Sequence, residues 1–220
     1  MALPVANGAS YMRYSGWTGS KELIARLVPE KSRVLDVGCS SGVLGRELID
    51  RKGCSLIGID IDSSAANVAE KYYTRVFVGD IQQLYALPAE YSKTFDVTVF
   101  ADVLEHTVNP EEVLSHYVAY ARSGGIVIIS LPNVANWLNR FYLLAGKWDY
   151  ADFGTLDRTH LKFFTYSTAK KLVGDVGLTI KRVECTSGLH SLDYKTGFSN
   201  PARVWKNLLA YQFVFECLVR

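Results

Sequence analysis

Between Arg33 and Leu131, five short apolar runs alternate with segments whose apolar residues recur at helical spacing. "RVLDVG", "CSLIGID", "RVFVGD", "FDVTVFAD" and "GGIVIISL" read as strands, and each is a near-continuous apolar run. A strand exposed on one face would alternate apolar with polar residues; a strand covered by helices on both faces has no polar side to show. Helices are predicted between these runs. One spans Val43–Lys52, with Leu44, Leu48 and Ile49 on one face; another runs from about Ser63 to Tyr72, with Asp62 or Ser63 as its N-cap; a third runs from about Pro110 to Arg122.

The end of the chain breaks the alternation. A helix predicted over about Ser167–Val176 stops before Gly177, a good C′ residue, and the apolar run "LTIKRVEC" follows. A long loop and a short helix at about Ala202–Leu209 then lead to "YQFVFECLVR". These two late strands predict an antiparallel pair at the sheet edge. The expected fold is therefore α/β: a doubly wound, mostly parallel, seven-stranded sheet with an antiparallel edge pair, Rossmann-like in its winding. Residues 132–165, rich in Trp, Tyr and Phe, form an insert just beyond the carboxyl end of the fifth strand, where such sheets hold ligands. Residues 1–29 are read as an N-terminal cap segment, because Tyr11, Tyr14 and Trp17 make its start too aromatic for a plain tail.

At 220 residues the chain suits a single domain, expected over 1–220. A net charge of +2 with scattered Lys and Arg argues against a nucleic-acid platform. The segment "MALPVANGAS" lacks the charged and apolar regions of a signal peptide, and no apolar run is long enough for a membrane span. Cys39, Cys54, Cys185 and Cys217 are widely spaced with no C-x-x-C pair, which reads as reduced, mostly buried thiols. A cytoplasmic protein without an integral membrane segment or nucleic-acid partner is expected; its oligomeric state is left open.

The chemistry begins at "RVLDVGCSSG". A dinucleotide loop needs three glycines so that backbone amides can approach pyrophosphate, and a nearby carboxylate opposes that ligand. Here Asp36 stands two residues before Gly38, and Ser40 occupies the central position before Gly42. S-adenosylmethionine carries an ammonium and a sulfonium and no phosphate, which turns the acidic strand end into an attraction. Asp60, at the end of the second strand, suits a ribose diol in either cofactor.

The chain resembles the class I S-adenosylmethionine-dependent methyltransferases. Their loop core "LDxGCGxG" appears as "LDVGCSSG", and "GIDID", "VGD" and "FDVTVFADVLEH" are similar to the motifs of the second, third and fourth strands. The resemblance implies that Asp36, Gly38, Cys39 and Gly42 shape the methionine and ribose portion. It implies Asp60 on the ribose hydroxyls with Ile61 against adenine, Asp80 on the adenine amino group with Ile81 beside it, and Ala101 and Asp102 near the methionine end.

Methyl transfer is an in-line displacement in which positioning and desolvation do much of the work; an alcohol or phenol acceptor also needs a base of near-neutral pKa. His106 and His160 are the catalytic candidates, because both belong to motifs on the carboxyl side of the sheet. His116 reads as a surface residue within a helix, and His190 lies in a late loop. The structural alternatives are that His106 caps its turn and that His160 pairs with Asp157 or Asp152. Asp102, Glu105 and His106 also resemble the acidic-His stretch that ubiquinone-pathway O-methyltransferases associate with a divalent cation, although a metal is not expected here.

The 132–165 insert is similar to the acceptor-side region of bacterial methyltransferases linked to glycan or other small-molecule biosynthesis. Asn133, Trp137, Arg140 and Arg158 are its candidate substrate contacts. The alternative is an amphipathic cover helix that packs Trp137, Phe141 and Leu144 on the sheet. The expected activity is methylation of an oxygen on a small molecule, such as a sugar-containing intermediate; no N/D-P-P-Y/F amino-methyltransferase signature follows the fourth strand. A noncatalytic cofactor-binding adaptor is one rival. A nicotinamide-dependent reductase is the other, and its Y-x-x-x-K pair does not occur between Pro132 and Thr165.

Overall fold

The computed structural model describes residues 19–187 and 205–220. A helix α1 (Gly19–Leu27) precedes β1 (Arg33–Val37), and the alternation continues through α2 (Val43–Lys52), β2 (Ser55–Asp60), α3 (Ser63–Ala69) and β3 (Arg75–Val78). Then come β4 (Phe95–Ala101), α4 (Pro110–Val118), β5 (Ala121–Pro132), α5 (Trp137–Leu144), α6 (Tyr166–Asp175), β6 (Thr179–Ser187), α7 (Lys206–Leu209) and β7 (Ala210–Leu218). The seven strands form one sheet in the order β3-β2-β1-β4-β5-β7-β6. Strands β1 to β5 are parallel, whereas β7 runs antiparallel to both β5 and β6. The doubly wound sheet and its antiparallel edge are as the apolar pattern predicts.

Alternate side chains of the central strands feed two separate cores. Leu35, Val37, Ile57, Ile59, Val127 and Ile129 join Phe213 and Phe215 in one, under α4 and α6. Val34, Leu56, Val97, Ile128 and Val214 join the other, under α1, α2 and α3. Both faces are thus apolar, which is why the strands read as runs without alternation.

Helix ends differ from expectation for local reasons. Asp62 does cap α3, accepting from the amides of Ser64 and Ala65, but the helix ends at Ala69. The amides of Tyr72 and Tyr73 both turn back to the Ala69 carbonyl, and this sends the Tyr73 ring under the sheet. Helix α4 stops at Val118 because Ala121 already pairs with Phe95 in the sheet. Asp96, near the start of β4, accepts from the Arg33 amide at 2.8 Å and the Arg122 guanidinium at 2.8 Å. Gly177 takes φ 78° one residue after the C-cap of α6, as its C′ position requires. Of the helix expected over Ala202–Leu209, the described part is Lys206–Leu209.

The insert does not pack as a cover helix. On α5 the side chains of Trp137, Phe141 and Leu144 are 52%, 62% and 88% exposed, and Asn139 alone on that helix is buried. The four cysteines are free and buried, as expected. Among the described residues no helix is long and apolar enough to cross a membrane.

Candidate active site

The carboxyl ends of β1 and β4 open into a cavity of about 430 Å³. Its inner wall is built by the loop after β1. Gly38 adopts φ 77°, and a Cβ there would lie 2.5 Å from a Val103 methyl, so glycine is required on both conformational and steric grounds. Ser40 adopts φ 49°, in the left-handed region that non-glycine residues rarely occupy. Its amide donates to Asp60 Oδ2 at 2.7 Å, and Asp60 Oδ1 accepts from the Asp62 amide at 2.9 Å. Asp60 therefore holds the loop in shape from the end of β2.

Asp36 is buried at the bottom of this wall. Tyr73 donates its hydroxyl to Oδ2 at 2.6 Å, while Oδ1 has no hydrogen-bond partner among the described residues. Burial pushes its pKa up to about 6; the Tyr73 bond and the Lys21 charge act against that rise, and Asp60 adds to it.

Asp102 stands at the end of β4 with φ 54°. Its carboxylate accepts from Ser20 on α1 at 3.2 Å, from Ser130 on β5, and from Gln212 on β7 at 3.1 Å, and the Ser130 hydroxyl accepts from its amide at 2.9 Å. Three elements distant from β4 in sequence thus converge on one carboxylate. Lys21, also on α1, reaches the same cavity, where both Asp102 and Asp36 act on its charge.

The outer wall carries the two candidate bases. His106 closes a 3₁₀ turn, Leu104–His106, and its Nδ1 lies 3.2 Å from the Thr159 carbonyl and 3.1 Å from the Thr159 hydroxyl. A carbonyl only accepts, so Nδ1 carries the hydrogen and Nε2 keeps its lone pair. The His160 ring packs edge-on to His106 with centroids 4.8 Å apart. Its Nε2 is 4.0 Å from Glu105 Oε1, and its Nδ1 has no partner among the described residues. Burial first and His106 second push His160 down to about 4, and burial lowers His106 as well, so both imidazoles are neutral at physiological pH. Glu105 is 1% exposed and one of its carboxylate oxygens is unpartnered; burial and Asp102 raise its pKa well above the usual carboxylate range. The Glu105 carbonyl in turn accepts from the amides of Leu161 and Lys162, which straps the insert to the 3₁₀ turn.

Glu105, His106 and His160 each bring a ligand-type atom within 4.8 Å of the others. This differs from the cluster suggested by sequence, because Asp102 faces Ser20, Ser130 and Gln212 and His160 takes its place.

Of the residues read from sequence, the structure brings Asp36, Gly38, Cys39, Ala101, Asp102, His106, Arg158 and His160 to this one cavity. Gly42, Asp60, Ile61, Asp80 and Ile81 do not line it. Gly42, at φ 76°, starts α2 against Ala69 and Tyr73. Asp80 caps a short 3₁₀ helix at the end of β3 with Ile81 turned into the core, while Ile61 is exposed.

Three substrate candidates are corrected. Asn133 is fully buried, with its Nδ2 donating to the carbonyls of Asn207 and Ala210 and its Oδ1 accepting from Ala135, so it fastens the insert to β7. Trp137 points to solvent, and the Arg140 guanidinium donates to the Ala135 carbonyl, so neither reaches the cavity. Arg158 does, in an ion pair with Asp152 at 2.7 Å. His160 does not pair its ring with Asp157 or Asp152: Asp157 is engaged by Thr159, and the ring faces Glu105 and His106 instead. His116 is half-buried against Tyr117 and Tyr120, and His190, with Tyr11, Tyr14 and Trp17, lies outside the described residues.

Lys21, Glu105, Tyr211 and Gln212 also line the cavity. Sequence reading missed Lys21, Tyr211 and Gln212 and weighed Glu105 only toward a metal. The first three come from α1 and β7, far from every motif. A Tyr-x-x-x-Lys spacing does occur just past the insert, at Tyr166 and Lys170. There Tyr166 packs on Phe213 and Phe215, and neither residue lines the cavity.

Comparison with known proteins agrees with this construction. The profile of the methyltransferase domain family matches residues 11–183. A ubiquinone biosynthesis O-methyltransferase from Paracidovorax citrulli is 33% identical over 105 residues, covering 46% of this chain and 44% of that one. Another from Psychrobacter arcticus is 28% identical over 167 residues, covering 72% of this chain and 62% of its own length. The chain thus spans about half to three fifths of these relatives. A crystal structure of a SAM dependent methyltransferase from Archaeoglobus fulgidus superposes with a TM-score of 0.65 at 21% identity, covering 97% of this chain and all of the other. Fold, loop and family profile coincide, and the chain belongs to the methyltransferase domain family, as a class I S-adenosylmethionine-dependent methyltransferase.

Proposed function

We propose that this protein methylates a hydroxyl oxygen of a small, polar molecule, of which a sugar-containing intermediate is the best-fitting class. The observation that carries the reading is the placement of two neutral imidazoles, His106 and His160, on the same cavity as the Asp36–Gly38 loop and Asp102. S-adenosylmethionine, when bound, supplies an electrophilic methyl group with a good thioether leaving group. The residues present fit it: Asp36 offers an unpartnered buried oxygen for a cation, and Gly38, packed on Val103 at φ 77°, brings the loop backbone itself to the cavity wall. Asp60, at the end of β2, is assigned to the ribose hydroxyls with Ile61 alongside, and Asp80 and Ile81 to the adenine. Gly42 and Cys39 complete the loop.

The acceptor enters from the insert side. Phe153, Thr159, Arg158 and Tyr211 supply a mixed apolar and hydrogen-bonding wall there, which suits a hydroxylated ligand. In this assignment His160, or His106 beside it, takes the proton from the attacking hydroxyl, while the cavity excludes water. Residues 132–165 act as the acceptor-side insert, and α1 is the described part of the N-terminal cap.

The test is thermal unfolding with S-adenosylmethionine, S-adenosylhomocysteine and NADH, followed by a labelled-methyl screen of sugars, phenols and quinols. A ligand at one hundred times its Kd adds about 2.7 kcal/mol to the native state. Stabilisation by the two sulfur ligands alone is expected, with transfer lost and cofactor binding kept in His160→Gln or His106→Gln. Stabilisation by NADH alone, or full transfer in both variants, removes the proposal.

The convergence of Glu105, His106 and His160 favours a second reading, in which a divalent cation polarises the acceptor oxygen. A chelator leaves transfer unchanged under the first reading and abolishes it under the second.

A further inference from the structure

The two imidazoles on the outer wall do not present their nitrogens equally. The His160 side chain is 6% exposed, its Nδ1 is buried, and its Nε2 faces the Glu105 carboxyl at 4.0 Å. Little of either nitrogen is left open to a substrate. His106 lines the same cavity half-buried, and neither of its nitrogens is in the buried, unpartnered state of His160 Nδ1. Its Nδ1 is turned to Thr159, so Nε2, on the far side of the ring, is the nitrogen it can offer.

Asp157 decides which way that ring is protonated. Its Oδ1 accepts from the Thr159 amide at 2.8 Å and from the Thr159 hydroxyl at 2.7 Å. A threonine hydroxyl has one hydrogen, and an ionised carboxylate takes it. Toward His106 Nδ1, 3.1 Å away, the same hydroxyl oxygen can then only accept, and the Thr159 carbonyl at 3.2 Å can only accept as well. Two acceptors meet at Nδ1, and the direction of the chain starts at a carboxylate. The segment that carries it is held in place: the Asp157 amide donates to the Gly154 carbonyl, the Arg158 amide to the Ala151 carbonyl, and the amides of Leu161 and Lys162 to the Glu105 carbonyl, next to His106 itself.

We propose that Asp157 and Thr159 are positioning residues, a hydrogen-bonded relay that fixes the ring and tautomer of His106, so that His106 Nε2, and not His160, takes the proton of the acceptor hydroxyl. This rests on the reading of the protein as a hydroxyl methyltransferase. The acceptor oxygen gives its proton to Nε2 and its electron pair to the methyl carbon, whose bond to sulfur breaks with the pair left on the neutral thioether. His106 then carries a hydrogen on each nitrogen, and the relay sets the Asp157 carboxylate behind the imidazolium charge, where it steadies it. His160, edge-on to His106 with ring centroids 4.8 Å apart, packs the base in its plane.

The tautomer is read without an acceptor, by nitrogen NMR of histidine-labelled protein at pH 7.5, with His106→Gln to assign the signal. In the wild type and Thr159→Ser, His106 should carry its hydrogen on Nδ1; in Thr159→Val the Nε2-protonated form should appear. Diethyl pyrocarbonate, followed by peptide mapping, should label His106 before His160. On the acceptor that the labelled-methyl screen returns, Thr159→Val should lower kcat at least about tenfold with KM within about twofold, Thr159→Ser should restore it, and His106→Gln should lose at least about tenfold more than His160→Gln. A hydrogen on Nε2 in the wild type, an unchanged tautomer or unchanged kcat in Thr159→Val, or labelling of His160 first overturns the inference alone. Transfer to amines and to no hydroxyl overturns the hydroxyl reading, and the proton-taking role of His106 with it.

Discussion

Asp36 is a residue whose worth to the fold and worth to the ligand have opposite signs. In the unfolded chain it titrates near 3.8, and burial raises it to about 6 in the native state. The native state therefore binds more protons between these values. The stability that this group contributes is present below about pH 4 and lost as pH rises through 6, on the order of 3 kcal/mol in all. A cationic ligand prefers the ionised form, so cofactor affinity should strengthen from pH 5 to 7 and level off above. Asp36→Asn should raise the unfolding free energy of the ligand-free protein at pH 7.5 and weaken S-adenosylmethionine binding at the same pH. Urea unfolding and calorimetry read the two effects separately. Ser40 shows how a residue departs from a motif at moderate cost: the loop demands positive φ at that position, which a glycine meets without strain and serine meets at φ 49°. Asp36, Gly38 and Asp102 were legible because each stands next to a strand end; Lys21 and Gln212 were not, because only tertiary packing brings them there.

At the scale of elements, apolar period proved a good guide to existence and a poor guide to partners. The strands and α2 stand where the pattern puts them, since burial on two faces leaves an unmistakable run. Helix α5 carries the same helical spacing of large apolar residues, yet its apolar side chains face solvent, because the side chain that docks is Asn139, through Thr155 and the Val134 carbonyl. Periodicity reports that one face differs from the other; it does not report which face is buried. Phe141→Ser and Leu144→Ser should accordingly change the unfolding free energy by no more than about 0.5 kcal/mol each, measured by urea titration. A loss of several kcal/mol would mean that this face is covered in the protein as it exists in solution.

For the whole molecule, β7 at the antiparallel edge contributes to both apolar cores, Phe213 and Phe215 to one and Val214 to the other. Phe213 is fully buried, packs against Tyr166 and Phe215 with ring centroids 5.4 and 6.2 Å away, and sits on the strand that carries Tyr211 and Gln212 to the cavity. Phe213→Ala should cost about 3–5 kcal/mol of global stability, read as a lower urea midpoint with an unchanged slope. The sheet's class and the antiparallel edge were visible from the change in spacing after Gly177. That β7 enters between β5 and β6 was not, because strand order is decided by which edges remain open and leaves no trace in local sequence.

This insertion has a bearing on how the protein is made. A chain synthesised from its N-terminus can pair β1 through β5 as they emerge, but β6 touches the rest of the sheet only through β7, the last strand to appear. Until then β6 has no place, Asp102 lacks Gln212, and Asn133 lacks the Ala210 carbonyl that anchors the insert. Competence to hold a ligand therefore waits until β7 has emerged, and a nascent chain that still lacks β7 keeps an open β5 edge in need of shielding.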